Sequence, residues 1–405
     1  MKNIYIFTHS FPYTKNSETF LETEIKIAST LPDTQIFVIP LKKSKICREI
    51  PQNISVINQL SELSRLRKIY VFITMLFHIR FWAMFGEKEH RFKTFKNLFQ
   101  TIKYYYGGCL IDFFLKQQQN YFQKNAILYS YWFSFATLGF ALFKNKTQNQ
   151  NNYTFISRAH GYDLFELERN ILIPYRSFTL SQIDTVYSVS KTGTEYLQLK
   201  YPEFSPKIKT AYLGVESLSV AKQKQNENEL ICISCSNFAS VKRIPLIYES
   251  LNQFALHKPH IKLKWIHFGS GKQLTSLKNL IEINKMSNIT VELRGFVAPA
   301  QLHEWYATHE VDIFINLSIS EGLPVSLMEA IGYKIPILAT DAGGTNEICN
   351  PETGYLLPVY FTQNQFEEGL QTILHNKENL KNTGYAFFQK NFNATINYTM
   401  FYNKI

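Results

Sequence analysis

Two glutamates, eight residues apart, are the side chains in this chain best suited to hold a polar ligand. Glu321 and Glu329 stand in the run EGLPVSLMEA, which KIPILATDAGGTNEI follows. The strand-like run VDIFINLS ends at the acidic turn, and Pro324 fits the first position of a helix because its fixed φ suits that place. Carboxylates at such a turn suit the hydroxyl groups of a sugar nucleotide. The simpler alternative is a helix cap at Glu321 and a solvated helix residue at Glu329.

The start of this predicted helix offers a place for an anion. Backbone N–H groups at Val325 and Ser326 have no partner within the helix, and the helix dipole favours negative charge there. We expect a diphosphate at this position and a helix that runs to about Gly332. IPILAT is the next predicted strand, and DAGG opens a second helix start at Thr345 or Asn346. Open α/β sheets bind ligands outside the carboxyl ends of their strands, where both turns lie.

The run EGLPVSLMEAIGYKIPILATDAGG resembles the carboxylate-pair signature of retaining, nucleotide-sugar-dependent glycosyltransferases of family 4. The glutamates, the glycines, the helix and the next strand match in order. The N-terminal FPYTKNSETFLETEI is similar to the first loop and helix of bacterial members that build surface polysaccharides. The resemblance implies the GT-B fold, an α/β architecture of two facing Rossmann-like domains with parallel sheets and a C-terminal helix that returns to the N-terminal domain.

The resemblance also implies roles for individual residues. Glu321 is expected to hold the transferred sugar and Glu329 the ribose, while His160 in RAHGYD contacts the donor sugar from the other domain. Lys242, in SVKRIPLI, is expected to stabilise the charge that develops on the departing diphosphate. His160, Lys242 and Glu321 are thus the expected catalytic residues. The expected donor-binding residues are Asn237, Arg243, Gly269, Phe296, Val297, Gly322, Leu323, Pro324, Val325, Ser326 and Glu329.

Two departures from the family pattern bear on these roles. Asn237 stands where an arginine is common in the family, so Arg243 would have to supply the second cation. Pro324 stands where many members have glycine, and proline cannot donate an N–H. Leu323 would then supply the backbone donor near the sugar hydroxyls.

Several positions have simpler explanations that the sequence leaves open. Ser17 and Glu18 are predicted to lie on the acceptor side, although Glu18 equally fits the first turn of a helix. Gly269, in HFGSG, lets the backbone approach a ligand or belongs to a plain turn. Phe296 and Val297 pack on the nucleotide base or in the protein core.

Strand-like apolar runs alternate with amphipathic stretches, which predicts parallel sheets covered by helices. Ten runs are interpreted as strands: NIYIFT, TQIFVIP, NAILYSYW, YTFISRAH, DTVYSVS, ELICISC, KLKWIHFG, ITVELRGF, VDIFINL and IPILAT. A chain of 405 residues, 45% of them hydrophobic, is long enough for two such domains. We predict an acceptor domain over 1–213, a linker over 214–229, a donor domain over 230–385 and a C-terminal helix over 386–405.

The first half carries a basic, aromatic-rich insert at around residues 42–110. Between Leu41 and Leu110 stand 13 Lys/Arg and 4 Asp/Glu, which accounts for most of the formal net charge of +11. The run IYVFITMLFHIRFWAMF approaches the length of a membrane span, but His78 and Arg80 near its centre make spanning costly. A helix on the anionic inner leaflet is one interpretation. Helices that cover the sheet with a solvated basic face are the other.

Composition argues against several other classes of protein. Five cysteines at irregular positions do not suggest a disulfide framework, and Cys232 and Cys235 point to opposite faces of a predicted strand. We expect no metal, no other cofactor and no nucleic-acid partner, because the sequence carries none of their signatures. MKNIYIFTHSFP is interpreted as a strand and not as a signal peptide. The expected location is the cytoplasm, with peripheral contact to the inner face of the plasma membrane.

The resemblance to family 4 implies a retaining glycosyltransferase of the hexosyltransferase type. It would move a sugar from a nucleotide diphosphate to a growing glycan or lipid-linked acceptor in surface-polysaccharide synthesis. In the family, the departing phosphate oxygen is thought to help deprotonate the acceptor, so the protein acts through positioning and electrostatics. One alternative is a GT-B nucleotide-sugar epimerase, which needs the donor alone. The other is a catalytically silent nucleotide-sugar-binding subunit.

Overall fold

A computed structural model shows two compact units in the chain. It describes residues 1–14, 18–83, 94–147, 152–166, 172–217 and 229–405. Unit 1 comprises Met1–Tyr212 together with Tyr398–Ile405, and unit 2 comprises Leu213–Asn397. Ser17, part of the basic insert and residues 218–228 of the predicted linker lie outside the described residues.

Unit 1 contains a seven-stranded parallel sheet. Its strands are β1 Lys2–Thr8, β2 Thr34–Pro40, β3 Ser55–Val56, β4 Ile127–Ser130, β5 Thr154–Ala159, β6 Thr185–Ser188 and β7 Ile208–Thr210. Their order in the sheet is β3-β2-β1-β4-β5-β6-β7. The helices are α1 Thr19–Ala28, α2 Arg65–Met75, α3 Ile79–Ala83, α4 Phe95–Gln118, α5 Phe135–Thr147, α6 Arg176–Gln182 and α7 Lys191–Lys200.

Unit 2 contains a six-stranded parallel sheet. Its strands are β8 Glu229–Cys235, β9 Lys262–Phe268, β10 Ile289–Gly295, β11 Ile313–Asn316, β12 Ile337–Thr340 and β13 Gly354–Leu357. They lie in the order β10-β9-β8-β11-β12-β13. The helices are α8 Ile244–His257, α9 Leu274–Ile283, α10 Pro299–Thr308, α11 Val325–Gly332, α12 Gln363–His375, α13 Lys377–Asn391 and α14 Ala394–Lys404, whose residues from Tyr398 onward belong to unit 1.

Each sheet is buried on both faces, as parallel sheets covered by helices must be. In β1, Tyr5 and Phe7 belong to one hydrophobic cluster, whereas Ile4 and Ile6 belong to another. Because successive side chains of a strand point to opposite faces, this alternation shows one cluster on each side of the sheet. The continuous apolar run of β1 therefore packs against the hydrophobic clusters on both faces of the sheet.

The strand orders define where a ligand can bind. In each unit the chain adds strands on one side of the first strand and then returns to its other side, so β4 lies beside β1 and β11 beside β8. Such a reversal opens a crevice at the carboxyl ends of the two neighbouring strands. Unit 1 therefore has a crevice between the loops after β1 and β4, and unit 2 has one between the loops after β8 and β11.

The predicted α/β class is confirmed, with all ten predicted strands present. The sequence analysis missed β3, β7 and β13, which have two, three and four residues. All three lie at an edge of their sheet, and none of them is a continuous run of buried residues, which is the pattern by which the central strands were recognised.

The C-terminal range 386–405 holds two helices instead of the single predicted helix. The end of α13 is followed by Phe392 and Asn393, where the chain pairs with the segment that enters unit 2. The Val215 N–H donates to the Phe392 carbonyl at 3.0 Å, and the Ala394 N–H donates to the Val215 carbonyl at 3.2 Å. These bonds interrupt the helix and then let α14 begin.

A buried ion pair attaches the end of α14 to the core of unit 1. Arg158 on β5 and Glu24 on α1 are both fully buried, with 2.6 Å between Nη1 and Oε2. The hydroxyl groups of Tyr129 and Tyr402 each donate to Glu24 Oε1 at 3.2 Å. The Arg158 guanidinium also lies 4.2 Å from the ring centre of Phe401. A buried pair needs such added partners because desolvation otherwise cancels the attraction.

Candidate functional site

Two of the predicted site residues form an ion pair in the crevice of unit 2. The Nζ atom of Lys242 lies 2.7 Å from both carboxylate oxygens of Glu321. Lys242 ends a short 3₁₀ turn after β8, and Glu321 follows the neighbouring strand β11. The Glu321 side chain is 7% exposed and that of Lys242 is 22% exposed. The pair joins the two loops of the crevice and leaves part of the lysine exposed to a ligand.

Asn316, which the sequence analysis missed, fixes the orientation of the Glu321 carboxylate. Its Nδ2 donates to Glu321 Oε1 at 3.2 Å. Its Oδ1 accepts from the N–H of Ser318 at 3.0 Å and from the hydroxyl of Ser318 at 2.6 Å. The available signal was a polar residue at the carboxyl end of the apolar run VDIFIN.

The DAGG turn packs directly against the turn that carries Glu321. Gly343 has a φ of 55°, and a Cβ atom there would lie 1.9 Å from the carbonyl oxygen of Glu321. The N–H of Gly344 donates to the Gly322 carbonyl at 3.1 Å. This contact is why the predicted helix start is instead a 3₁₀ turn, Gly343–Glu347, that begins earlier. Glycine is required because any side chain would displace the Glu321 backbone.

The start of α11 presents free backbone donors beside the ion pair. Pro324 is the N-cap, one position before its predicted place, and the helix begins at Val325. Within the described residues, no hydrogen bond uses the backbone N–H groups of Gly322, Leu323, Val325 or Ser326. These amides are available to an anion, and the dipole of the helix favours one.

Arg243 is engaged by the protein's own backbone. Each of its three guanidinium nitrogens donates to a carbonyl oxygen, those of Leu317, Ser318 and Val359. Burial lowers the pKa of Arg243 from its usual value. Arg243 therefore joins neighbouring loops through their carbonyl groups. The sequence analysis had instead predicted that it supplies a second cation to the phosphate.

Asn237 and Gly269 shape the loops at the end of β8 and β9. Asn237 is exposed, and its Oδ1 accepts from the N–H of Ala239 at 3.2 Å. A Cβ atom at Gly269 would lie 1.7 Å from the Ser236 carbonyl oxygen, so the close approach at this glycine is to the protein's own backbone. Both residues lie at the carboxyl ends of the strands, and neither has a charged side chain.

Phe296 and Val297 follow β10, and core packing does not explain Phe296. Phe296 is 53% exposed and Val297 is half-buried. The preceding Gly295 has a φ of 68°, and a Cβ atom there would meet nothing within 4 Å. The exposed phenyl ring is therefore available to stack on a flat ligand.

Glu329 lies on α11 and pairs with His303 of α10. His303 Nε2 is 3.5 Å from Glu329 Oε1, and its Nδ1 is 2.9 Å from the Tyr333 hydroxyl. Burial of the imidazole opposes protonation, but the bond to Glu329 and the charges of Glu329 and Glu216 outweigh it and raise the pKa of His303. His303 was missed because its place beside Glu329 depends on how the two helices pack.

In unit 1, His160 is held in an aromatic cage. It is 6% exposed, and its ring centre lies 5.5, 5.1 and 4.5 Å from those of Phe20, Tyr131 and Trp132. Within the described residues, neither ring nitrogen has a hydrogen-bond partner. The His160 N–H donates to Asp163 Oδ1 at 2.5 Å, which fixes the turn.

Glu18 is a structural anchor for the loop after β1. Its carboxylate accepts from the backbone N–H groups of His9, Ser10 and Phe11 at 2.8, 2.9 and 2.8 Å. The indole N–H of Trp132 donates to it at 2.7 Å. Glu18 is the N-cap of α1 with a φ of 56°, so it does not occupy the first turn. The sequence could not show that these donors converge on this carboxylate.

A cavity of about 640 Å³ occupies the crevice of unit 1. Its lining is mainly apolar and comes largely from the loops after β1, β4 and β5, including His9, Glu18, Trp132, Phe133 and Tyr162, with Gln100 and Tyr104 of α4. This is where the structure places Glu18, the one described residue of the predicted acceptor side. The cavity lies within the unit that carries His160.

Two further buried residues, which the sequence analysis did not single out, make the wall of this cavity rigid. Asp163 Oδ2 accepts from the Phe133 N–H at 2.7 Å. Arg176 donates to the carbonyl oxygens of Phe133 at 3.0 Å and of Asp163 at 2.6 Å. Asp163 belongs to the RAHGYD segment, which was a usable signal, whereas Arg176 stood in no recognised motif.

The His303–Glu329 pair makes a testable contribution to the stability of unit 2. Because the pKa of His303 is raised, its charged pair should stabilise the fold below about pH 6.5 and lose this effect as the pH rises through the raised value. A double-mutant cycle with His303→Gln and Glu329→Gln should give a coupling of about 1 kcal/mol at about pH 6 and none near pH 9. Thermal unfolding of the four proteins measures this coupling free energy. Equal coupling at both pH values would contradict a charged His303–Glu329 pair.

Comparison with known proteins gives a family match that lies within unit 2. Residues 216–389 match the family described as glycosyl transferases group 1, a range that includes Lys242, Glu321 and Glu329. The chain is 29% identical over 218 residues to the UDP-N-acetylglucosamine--peptide N-acetylglucosaminyltransferase GtfA subunit of Streptococcus pneumoniae serotype 4, covering 52% of this chain and 39% of that protein. It is 27% identical over 198 residues to the O-antigen biosynthesis glycosyltransferase WbnH of Escherichia coli, covering 49% and 53%. The chain thus spans about half or less of the length of these relatives.

Solved structures resemble the whole chain. Sucrose-phosphate synthase from Thermosynechococcus elongatus has a TM-score of 0.68 at 14% identity, over 100% of this chain and 99% of that one. The lipopolysaccharide outer core galactosyltransferase WaaB has a TM-score of 0.64 at 14% identity, over 100% of both chains. At these identities the likeness shows the fold. The predicted GT-B fold is confirmed, and its second unit matches the group 1 glycosyl transferases in sequence.

Proposed function

We propose that the protein is a glycosyltransferase that moves a sugar from a nucleoside diphosphate to a growing glycan or lipid-linked acceptor. The observation that carries this proposal is the Lys242–Glu321 ion pair in the crevice of unit 2, beside the free amides at the start of α11. Both features lie in the range that matches the group 1 glycosyl transferases. The relative WbnH, named for O-antigen biosynthesis, supports a role in surface-polysaccharide synthesis.

In this proposal each part of the donor has a partner in unit 2. The diphosphate meets the Nζ of Lys242 and the N–H groups of Val325 and Ser326. Glu321, held by Lys242 and Asn316, accepts hydrogen bonds from sugar hydroxyls. Glu329 accepts from the ribose, and the exposed ring of Phe296 stacks on the base. The pneumococcal relative is named for UDP-N-acetylglucosamine, so UDP-sugars are the first donors to test.

The proposed reaction retains the configuration of the sugar and is of the hexosyltransferase type, as in family 4. The bond from the anomeric carbon to the phosphate oxygen breaks, and a bond to the acceptor oxygen forms on the same face. The acceptor proton passes to the departing phosphate oxygen. Lys242 and the α11 amides stabilise the charge on the diphosphate, so this proposal needs no metal. The role of Glu321 in this proposal is to bind the sugar, because its carboxylate is already held in place by Lys242.

The acceptor is proposed to bind in the 640 Å³ cavity of unit 1. Its aromatic lining suits the apolar faces of sugar rings, and Asp163 and Arg176 keep its walls rigid. Glu18 holds the β1 loop in place there. His160 lies next to Trp132 of the lining and is proposed to reach the donor sugar. We propose that the protein meets a lipid-linked acceptor in the cytoplasm, at the inner face of the plasma membrane.

Replacement of Lys242 tests the donor site. We expect Lys242→Ala to lower kcat by about 10²–10³-fold, because one preorganised charge on the leaving diphosphate is lost. The kcat is measured as product formation from a panel of nucleotide sugars, with native extracts as acceptors. Lys262→Ala, an exposed lysine on β9, is the matched control and should keep full activity.

Three results would contradict this account of the donor site. One is a purified protein that neither hydrolyses nor transfers from any donor in the panel. Another is a Lys242→Ala variant with the kcat of the wild type. The third is conversion of the donor to an epimer in the absence of any acceptor, which would assign the alternative epimerase activity.

Replacement of Tyr162 tests the acceptor cavity separately. Tyr162 lines the cavity and is 65% exposed, so its removal leaves the core intact. Tyr162→Ala should raise the acceptor KM about tenfold, or ~1.4 kcal/mol, and leave hydrolysis of the donor unchanged. Tyr121→Ala is the matched control, since Tyr121 is 47% exposed, precedes the amino end of β4 and does not line the cavity. An unchanged acceptor KM for Tyr162→Ala argues against this cavity.

A further inference from the structure

Exposed apolar side chains are concentrated on one part of unit 1, formed by α2, α3, the segment between them and the first turns of α4. We call it the α2–α4 surface. Eleven of the 23 exposed large hydrophobic side chains among the described residues belong to it. They are Leu66, Ile69, Tyr70, Phe72, Ile73, Leu76, Phe77, Ile79, Trp82, Phe95 and Phe99.

Packing within unit 1 does not account for this apolar surface. Only Val71 and Met75 of α2 are buried, in one narrow stripe. They belong to a cluster with Tyr105 and Cys109 of α4. A helix that covers a core would turn its apolar residues inward and its polar residues outward. On α2 most large apolar residues point away from the core, and exposed patches of this kind mark a site of interaction.

The run IYVFITMLFHIRFWAMF is divided between two helices. The helix α2 ends at Met75, and α3 begins at Ile79. The guanidinium of Arg80 lies 3.7 Å from the ring centre of Phe178, so the cation near the middle of the run stacks on the body of unit 1. None of the described helices has both the length and the apolarity to cross a membrane.

A groove of about 370 Å³ runs between α2 and α4. Its lining is almost entirely apolar, with two lysines among seven side chains: Lys68, Ile69, Phe72, Phe99, Ile102, Lys103 and Tyr106. The Tyr106 hydroxyl donates to the Lys68 carbonyl at 3.0 Å and its ring lies 5.8 Å from that of Phe72. An acyl chain fits such an apolar groove, while the lysines match an anionic head group.

The charge of this surface is of one sign. Arg65, Arg67, Lys96 and Lys103 are exposed on α2 and α4. The sequence has no Asp or Glu in residues 64–83 or 94–111. Cations that flank exposed aromatic and aliphatic side chains complement an anionic bilayer, since the apolar groups enter the interface and the cations meet the head groups.

We propose that the α2–α4 surface docks the protein on an anionic lipid bilayer, lying on the membrane without crossing it. This inference deepens the proposed function by naming the surface that would bring unit 1 to a lipid-linked acceptor. Its test measures vesicle binding in the absence of any sugar. If the protein does not bind vesicles, the proposed sugar transfer still stands. If the protein transfers no sugar, its binding to vesicles can still be measured.

Flotation of the full chain with vesicles tests the proposal. Wild-type protein should bind vesicles that contain phosphatidylglycerol, bind pure phosphatidylcholine vesicles much less, and be released as salt is raised. The triple variant Leu66→Gln, Ile69→Gln, Phe77→Gln should bind at least about tenfold more weakly, because three inserted side chains are lost. Removal of positive charge by Arg65→Gln, Arg67→Gln, Lys96→Gln should weaken binding and flatten its salt dependence.

Matched triple variants elsewhere on the chain distinguish binding through this surface from nonspecific binding to the vesicles. Leu199→Gln, Leu256→Gln, Ile283→Gln removes three side chains that are at least 60% exposed, and Lys262→Gln, Lys278→Gln, Lys285→Gln removes three exposed cations. Both should bind like the wild type. Thermal unfolding and donor affinity equal to the wild type confirm that each variant is folded.

Three outcomes would overturn the proposal. One is wild-type protein that does not bind anionic vesicles at low salt. Another is an equal loss of binding in the control variants. The third is a lipid-free dimer, seen by light scattering, that the Leu66, Ile69 and Phe77 substitutions dissociate, because that result assigns the surface to a second copy of the chain.

Discussion

The ion pair between Lys242 and Glu321 is the interaction on which the geometry of the unit 2 crevice depends. It spans the reversal point of the sheet and holds together two loops that come from neighbouring strands. A carboxylate that is 7% exposed needs such a partner, because a buried charge without one is strongly destabilising. Asn316 orients the same carboxylate, and Gly343 permits the next turn to pack against its backbone. The crevice is thus organised before any ligand arrives.

The two units use buried polar groups in different ways at equivalent places in the fold. In unit 1, Glu18 and Asp163 accept from backbone N–H groups of the loops, so their carboxylates serve to shape a cavity. In unit 2, Arg243 binds three carbonyl groups, and the Lys242–Glu321 ion pair joins two loops and keeps charged side chains in the crevice. A rigid apolar cavity suits an acceptor, and a charged crevice with free amides suits a diphosphate.

The sequence predicted what depends on local pattern and missed what depends on packing. Continuous apolar runs identified the strands, and the strand ends then placed Lys242 and Glu321 in loops that the structure joins. Nothing in the sequence shows that several donors from two loops converge on Glu18, or that the nitrogens of Arg243 donate to carbonyl groups. His303 was missed for the same reason, since its contact with Glu329 joins two helices that lie far apart along the chain.

The most direct test of the account is a crystal structure of the protein with bound UDP. We expect diphosphate oxygens within hydrogen-bond distance of the Lys242 Nζ and the backbone N–H of Val325, with the ribose at Glu329 and the base against Phe296. A diphosphate bound in the cavity of unit 1, or one that leaves Lys242 paired with Glu321 and touches neither Lys242 nor α11, would contradict it.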